Sequence, residues 1–222
     1  MGRKITAINA QNHNPQRVNI YLDGEFAFGL SRIVAAWLSV GQELDDEKIA
    51  SLQQEDAQEV AYQIALHLLS YRTRTEAEVR AHLMKKGIDE GIIQSVLERL
   101  QRSALLDDQR FAQEWVENRN EYRPRGRRAL AYELRQKGVP DETIQAALEQ
   151  LDEEELAYQA AQKKARQLKQ MEWQEFKQRM YAFLARRGFS YETSAPVVAR
   201  IWQEQKRQSQ TSIHQNLEEV ET

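Results

Sequence analysis

The chain has 222 residues, 41% of them hydrophobic and 29% charged, and a formal net charge of -3 at pH 7. The hydrophobic share is sufficient for a folded core, whereas the charge content and the lack of any apolar run near about 18 residues exclude a membrane-spanning protein. The sequence has no cysteine, hence no disulfide and no zinc–thiolate site, and its start has no signal-peptide core, so we expect a cytoplasmic protein.

Alternating apolar residues predict a β-hairpin near the amino terminus. Residues 18–22 and 26–30 alternate between apolar and other side chains, and Asp23-Gly24 lies between them. Asp-Gly tolerates the positive φ angles of a type I′ turn, which makes this a strong hairpin signal. Residues 5–10 are predicted as a third strand.

A short helix is predicted directly after the hairpin. Ser31 is a suitable N-cap for a helix that runs to Leu38, and Gly41 would close it. Asp45 or Asp46 then begins a polar helical stretch that leads into the rest of the chain.

A helical unit is repeated three times between about Glu55 and Lys206. Gly87, Gly138 and Gly188 mark it, 51 and 50 residues apart. Apolar residues recur eight and four positions before these glycines and one, ten and thirteen positions after them: Val79, Leu130 and Met180; Leu83, Leu134 and Leu184; Ile88, Val139 and Phe189; Leu97, Leu148 and Val198; Leu100, Leu151 and Ile201. The pattern predicts tandem three-helix units in which each glycine is a structural helix stop.

The predicted domain organisation follows from this repeat. It consists of an N-terminal hairpin with short helices over residues 1–54, three-helix repeats over 55–103, 104–151 and 152–207, and a polar tail over 208–222. Thr75 and Glu78 form a capping-box pattern before the second helix of the first repeat. Pro196 predicts that the last helix begins near Thr193 or Ser194, because proline fits only the first helical turn.

Enzymatic motifs are absent from the sequence. There is no glycine-rich phosphate loop, no H-E-x-x-H pair and no G-x-S-x-G elbow, and the four histidines lack metal-ligand spacing. Asp107-Asp108 precedes a helix, where carboxylates stabilise the N-terminus. We therefore predict a non-enzyme that uses no cofactor and no metal.

The candidate partner-binding residues are cations on the turns and helices that precede each glycine. They are Arg72, Arg74, Arg123, Arg125, Arg127, Arg128, Arg135, Lys137, Lys163, Lys164, Arg186 and Arg187. Arginines close together repel one another unless an anion neutralises their charge. The grouping of these arginines therefore favours a phosphate or carboxylate partner over the alternative of solvated interhelical turns.

The aromatic residues are predicted to pack rather than to bind. Tyr71 and Tyr122 each lie 16 residues before a glycine and beside arginines, where packing as an anchor is favoured over stacking on bases. All four tryptophans, Trp37, Trp115, Trp173 and Trp202, are predicted to belong to the core. The helices after the glycines, residues 90–100 and 141–151, are acidic or nearly free of cations, which disfavours reading of the DNA major groove.

In order and spacing, these features resemble the RecX family of recombination regulators. The matching pieces are Thr75-Glu76-x-Glu78-Val79-Arg80-x-x-Leu83-x-x-Lys86-Gly87, Leu105-Leu106-Asp107-Asp108-x-x-Phe111-Ala112, Leu134-Arg135-Gln136-Lys137-Gly138-Val139 and Phe183-Leu184-Ala185-Arg186-Arg187-Gly188-Phe189. The resemblance extends from about Glu55 to Arg207.

The resemblance implies both a fold and a function. The fold is mainly all-α, with three tandem three-helix repeats in an elongated curved array and a small N-terminal antiparallel β-hairpin or three-stranded sheet. The function is binding of the RecA recombinase and its filament on single-stranded DNA, mostly with inhibition. We expect a monomer. Two alternatives stay open: a direct nonspecific or single-stranded DNA-binding protein, and a helical scaffold for an unrelated protein.

Overall fold

The chain forms two compact units, Met1–Asp107 and Asp108–Thr222. The structure is a computed structural model that describes residues 2–168 and 171–220, with side chains as far as residue 208. These residues contain nine α-helices and four β-strands, and none of the helices among them is long and apolar enough to cross a membrane.

A four-stranded antiparallel sheet begins the first unit. Its strands are β1 (Arg3–Ala10), β2 (Arg17–Leu22), β3 (Glu25–Ser31) and β4 (Glu43–Leu44), in the order β3-β2-β1-β4. The turn residues Asp23 and Gly24 have φ angles of 53° and 91°, the positive values that a type I′ turn requires. The hairpin and the third strand are thus confirmed, whereas β4 is too short to show alternation in the sequence.

The predicted short helix after the hairpin is wrong in its start and length. Ser31 is the last residue of β3, paired with Arg17, and only a single 3₁₀ turn, Val34–Trp37, follows. The Ser31 N–H donates to the buried carboxylate of Asp56 at 2.6 Å, so this residue continues the strand instead of capping a helix. Trp37 is 91% exposed, which contradicts its predicted place in the core.

Helix α1 (Asp46–Leu69) connects the sheet with the first repeat. It begins at the N-cap Asp45, whose side chain accepts the Lys48 N–H at 2.7 Å. Its first half buries Ile49 and Leu52 in the core under the sheet, and its second half buries Ala61, Tyr62 and Ala65 against the repeat. One helix therefore contributes to two hydrophobic cores.

Three repeats of three helices follow one another, as predicted. The first combines α1 with α2 (Glu76–Lys85) and α3 (Glu90–Arg102); the second contains α4 (Asp108–Tyr122), α5 (Arg127–Gln136) and α6 (Asp141–Leu148); the third contains α7 (Glu153–Ala165), α8 (Trp173–Arg186) and α9 (Tyr191–Val220). All five apolar columns of the repeat are buried or half-buried. Thr75 caps α2 by accepting the Glu78 N–H at 3.2 Å, as the capping-box pattern predicts.

Helix α9 differs from its prediction at both ends. It begins at Tyr191 because the Ser190 hydroxyl accepts the Thr193 N–H at 3.0 Å, which places Pro196 in the second turn instead of the first. Its backbone is helical as far as Val220, where the sequence predicted a polar tail from residue 208. Residues 221 and 222 and the side chains beyond 208 lie outside the described part of the chain.

Each repeat glycine ends the second helix of its repeat in a left-handed conformation. The φ angles of Gly87, Gly138 and Gly188 are 76°, 75° and 87°. In the first repeat Gly87 N–H donates to the Met84 carbonyl at 2.9 Å, and Ile88 N–H donates to the Leu83 carbonyl at 3.2 Å. The other two repeats have the same pair of hydrogen bonds, so all three helices end in a Schellman motif.

Replacement of two of these glycines by alanine separates backbone strain from packing. A Cβ atom at Gly87 would meet nothing within 4 Å, whereas one at Gly188 would lie 2.5 Å from both Cβ and N of Ala129. We expect Gly87→Ala to cost about 1–2 kcal/mol for the left-handed conformation. Gly188→Ala should cost about 1–3 kcal/mol more, because overpacking is added to the strain. Urea unfolding of the complete chain measures, for each variant, the loss in free energy of unfolding of the unit that carries the substitution. Equal losses in the two variants would contradict a packing contribution at Gly188.

Candidate partner-binding surface

The turn before α5 packs against the end of α8. Gly126 N–H donates to the Arg187 carbonyl at 2.9 Å, and the Arg187 Nη1 donates to the Pro124 carbonyl at 3.1 Å. A Cβ atom at Gly126 would lie 2.4 Å from the Gly188 carbonyl oxygen, so only glycine permits this approach. The segment 123–128 is therefore largely a joint between the second and third repeats, which the sequence did not predict.

Arg127 connects the second repeat with the third through hydrogen bonds within the chain. Its guanidinium donates to the carbonyls of Leu148 and Leu151, the latter at 2.7 Å, where α6 ends and leaves carbonyls without helical partners. Its backbone N–H donates to the Glu153 carboxylate at 2.9 Å. The contacts of Arg127 are thus structural.

The Glu133 carboxylate forms ion pairs with two further arginines. Its carboxylate lies 2.6 Å from Arg125 Nη1 and accepts hydrogen bonds from Arg119 Nε at 2.8 Å and from the Trp115 indole N–H at 2.9 Å. The Arg119 guanidinium also lies over the Trp115 ring, 4.6 Å from its centroid. The sequence contains a signal for this site, because Glu133 is the single carboxylate of α5 and lies among cations.

Two cations of the predicted set pair with nearby carboxylates, and a third is partly buried. Arg72 makes a two-pronged contact with Glu78 at 2.9 and 3.0 Å, and Arg135 Nε donates to Asp141 at 2.7 Å. Arg74 is half-buried, and its Nε has no hydrogen-bond partner among the described residues.

A second group of predicted cations is exposed to solvent. Within the described residues, no ion pair is formed by Arg123, Arg128, Lys163 or Arg186. Lys164 and Arg187 share the ring of Phe183, at 5.9 and 4.7 Å from its centroid, and Lys137 lies over the Trp115 ring at 5.6 Å.

Like charges gather where the second and third repeats meet. We call Arg123, Arg125, Lys164 and Arg187 the junction cluster. Burial lowers the pKa of the Arg187 guanidinium, and the charges of Arg125 and Arg123 lower that pKa further. Exposed Arg128 and Arg186 flank this cluster in the sequence. Such a positive field suits an anion, and guanidinium groups bind phosphates and carboxylates through two parallel hydrogen bonds.

The tyrosines beside the arginines are exposed, contrary to the packing prediction. Tyr71 is 71% exposed and Tyr122 is 67% exposed, and Tyr132 on α5 is 63% exposed. Tyr71 follows the end of α1 and Tyr122 is the last residue of α4, so both rings lie beyond the last buried contacts of their helices. In contrast, Trp115 and Trp202 are half-buried and pack on aromatic rings of their own repeats. No group of three or more His, Cys, Asp or Glu side chains that could hold a metal occurs in the described part of the chain.

Comparison with known proteins finds one family along most of the chain. The matching family models are the N-terminal domain of regulatory protein RecX, over residues 3–45, and the first, second and third three-helix domains of RecX, over residues 61–100, 107–148 and 152–198.

Individual relatives agree with this match. The chain is 37% identical over 193 residues to the regulatory protein RecX of Bacillus licheniformis, an alignment that covers 85% of this chain and 73% of the relative. It is 35% identical over 202 residues to that of Bacillus subtilis, covering 89% and 76%. A crystal structure of regulatory protein RecX is similar with a TM-score of 0.73 and 32% identity, over 88% of this chain and 98% of that one.

Two adjacent arginines provide a test of the structural contacts. Arg127→Ala should lower the free energy of unfolding of the second unit by about 2 kcal/mol, because the carbonyls at the end of α6 lose a charged donor. Arg128→Ala should change it by no more than about 0.5 kcal/mol, because this side chain is exposed and forms no ion pair in the part of the chain that the structure describes. Urea unfolding followed by tryptophan fluorescence measures the difference. A similar loss in both variants would remove the structural role of Arg127.

Proposed function

The chain belongs to the RecX family, and on that premise we propose that it binds the RecA recombinase and its filament on single-stranded DNA and inhibits the filament's activity. Its relatives are named regulatory proteins, which supports a regulatory role. We propose further that it acts without a cofactor in the cytoplasm.

The observation that carries this proposal is the junction cluster with its exposed neighbours. Close contact between Gly126 and Gly188 holds Arg187 beside Arg123 and Arg125, although the three charges repel one another. Carboxylates of the chain itself form ion pairs with Arg125 and Arg127, whereas the exposed cations form no ion pair with any described residue. A filament of recombinase on DNA offers carboxylates and phosphates, the anions that such a surface binds.

The repeat architecture fits a partner that is itself repetitive. Stacked helical repeats present extended surfaces to macromolecules. Helix α8, with 14 residues, is about 21 Å long, about two thirds of the diameter of a small domain. We therefore expect the cations of the second and third repeats together to contact more than one site on a filament.

Direct binding of single-stranded DNA is the second candidate function. Exposed Tyr122 precedes Arg123, and exposed Tyr132 lies one turn beyond Arg128. Aromatic rings next to cations stack on bases while the cations bind phosphates, so these tyrosines favour a DNA contact.

Charge reversal of three exposed arginines tests the main proposal. Arg123, Arg128 and Arg186 are replaced by Glu together, because none of them forms an ion pair with another described residue whose loss would disturb the fold. The concentration that halves the ATPase rate of RecA on single-stranded DNA should rise about tenfold or more, since attraction to the anionic filament becomes repulsion. The matched control replaces the exposed cations Lys4, Lys48 and Arg102 of the first unit by Glu, and should change that concentration less than twofold. Undiminished inhibition by the folded triple variant would refute the proposal.

Binding to bare DNA distinguishes the two candidates. A direct DNA-binding protein should lose affinity steeply between about 50 and about 200 mM salt, in proportion to the phosphates it contacts. Fluorescence anisotropy with a labelled single-stranded oligonucleotide, without recombinase, measures this dependence. Strong, salt-dependent binding that the triple variant loses would favour the DNA-binding protein, whereas inhibition of RecA without such binding would favour the regulator.

A further inference from the structure

A groove in the first unit lies between the sheet and the helices α1 and α2. Its volume is about 1050 Å³, and its walls come from the end of β3, the outer face of α1 and the last turn of α2. All of its lining residues precede residue 87, so the groove shares no residue with the junction cluster.

The floor of the groove is an apolar stripe along α1. Val60, Ile64 and Leu68 recur every four residues and therefore lie on one face of the helix. Ile33, 62% exposed, and Tyr71, 71% exposed, add apolar surface to the lining of the groove. Exposed apolar surface grouped in this way marks an interaction site.

The charges of the groove are positive once internal pairs are removed. Arg17 is paired with Asp56 at 2.7 Å, and Glu59, the groove's own carboxylate, is paired with Arg99 at 2.7 Å. Arg32 and Lys86 are exposed and form no ion pair within the described residues. Among the described residues, the rim thus has two cations without an ion pair and no carboxylate without one.

We infer that this groove docks an acidic amphipathic helix of a protein partner. A stripe with a four-residue period matches the i, i+3, i+4 and i+7 side chains of a helix laid along it. The apolar stripe from Val60 to Leu68 on α1 is about 12 Å long, which accommodates about eight helical residues of the partner. Acidic side chains beside the apolar face of the partner would then meet Arg32 and Lys86.

Nucleic acid fits this groove less well than a protein helix does. Its floor has aliphatic side chains where a strand of DNA would require cations along the whole backbone. The docking site belongs to a different unit from the cations of the proposed function, so either conclusion can fail alone.

A designed pair of peptides tests the groove in the complete chain. The probe is a fluorescein-labelled helical peptide of about twelve residues with leucine at i, i+3, i+4 and i+7 and glutamate on its flanks; its partner has lysine in place of every glutamate. We expect the acidic peptide to bind with a dissociation constant of about tens of micromolar and the basic one at least about tenfold more weakly.

Neighbouring lysines supply a matched control. Lys86→Glu should weaken binding of the acidic peptide about fivefold. Lys85 is also exposed but does not line the groove, so Lys85→Glu should change the affinity less than twofold. Ile33→Ser should weaken it about threefold through lost apolar contact. The R123E/R128E/R186E variant should bind the peptide as well as the parent does. Circular dichroism checks that each variant is folded.

Several results would overturn the inference. They are absence of binding by the acidic peptide up to about 1 mM, equal affinity for both peptides, and equal effects of the Lys85 and Lys86 substitutions. Competition by a single-stranded oligonucleotide that depends on Lys86 would assign the groove to nucleic acid instead. Dimerisation in sedimentation experiments that Lys86→Glu abolishes would assign it to a second copy of this chain.

Discussion

Each repeat depends on a helix that stops at a glycine. Because glycine has no Cβ atom, Gly87, Gly138 and Gly188 take the left-handed conformation and close a Schellman motif. The motif places the residue after the glycine against the residue four before it, which are Ile88 and Leu83 in the first repeat. Two of the five apolar columns therefore belong to the turn itself, and the turn directs the third helix back onto the other two.

In the third repeat the same turn also makes the contact with its neighbour. Gly188 lies against Ala129, and Gly126 lies against the Gly188 carbonyl, so backbones approach more closely than any side chain would allow. This approach holds Arg187 beside Arg125, and the resulting repulsion is offset by Glu133, which pairs with Arg125, and by the Pro124 carbonyl, which accepts a hydrogen bond from Arg187. Arginines that lie close together in a sequence therefore need not all bind an external partner, because groups of the chain itself neutralise some of them.

Several features of the site could not be predicted because they depend on residues distant in the sequence. The sequence places Arg127 in an exposed basic turn, but its acceptors lie at the end of α6 and at the start of α7, 21 and 26 residues further along the chain. In the first unit Asp56 accepts the Ser31 N–H and so keeps Ser31 in a strand, against its local preference as a helix cap. Trp37 is exposed because a single 3₁₀ turn is too short to fold its ring back over the sheet.

The sequence by itself determined the local structure: the hairpin with its Asp-Gly turn, the three helices of each repeat, and the apolar columns that form the cores. These follow from periodicity and from the backbone preferences of single residues, which act over a few positions. Only the tertiary structure decided which cations stay exposed and which are consumed by internal contacts. It also decided that Val60, Ile64 and Leu68 of α1 line a groove. Such outcomes depend on the close approach of segments tens of residues apart, and periodicity along one chain contains no record of that approach.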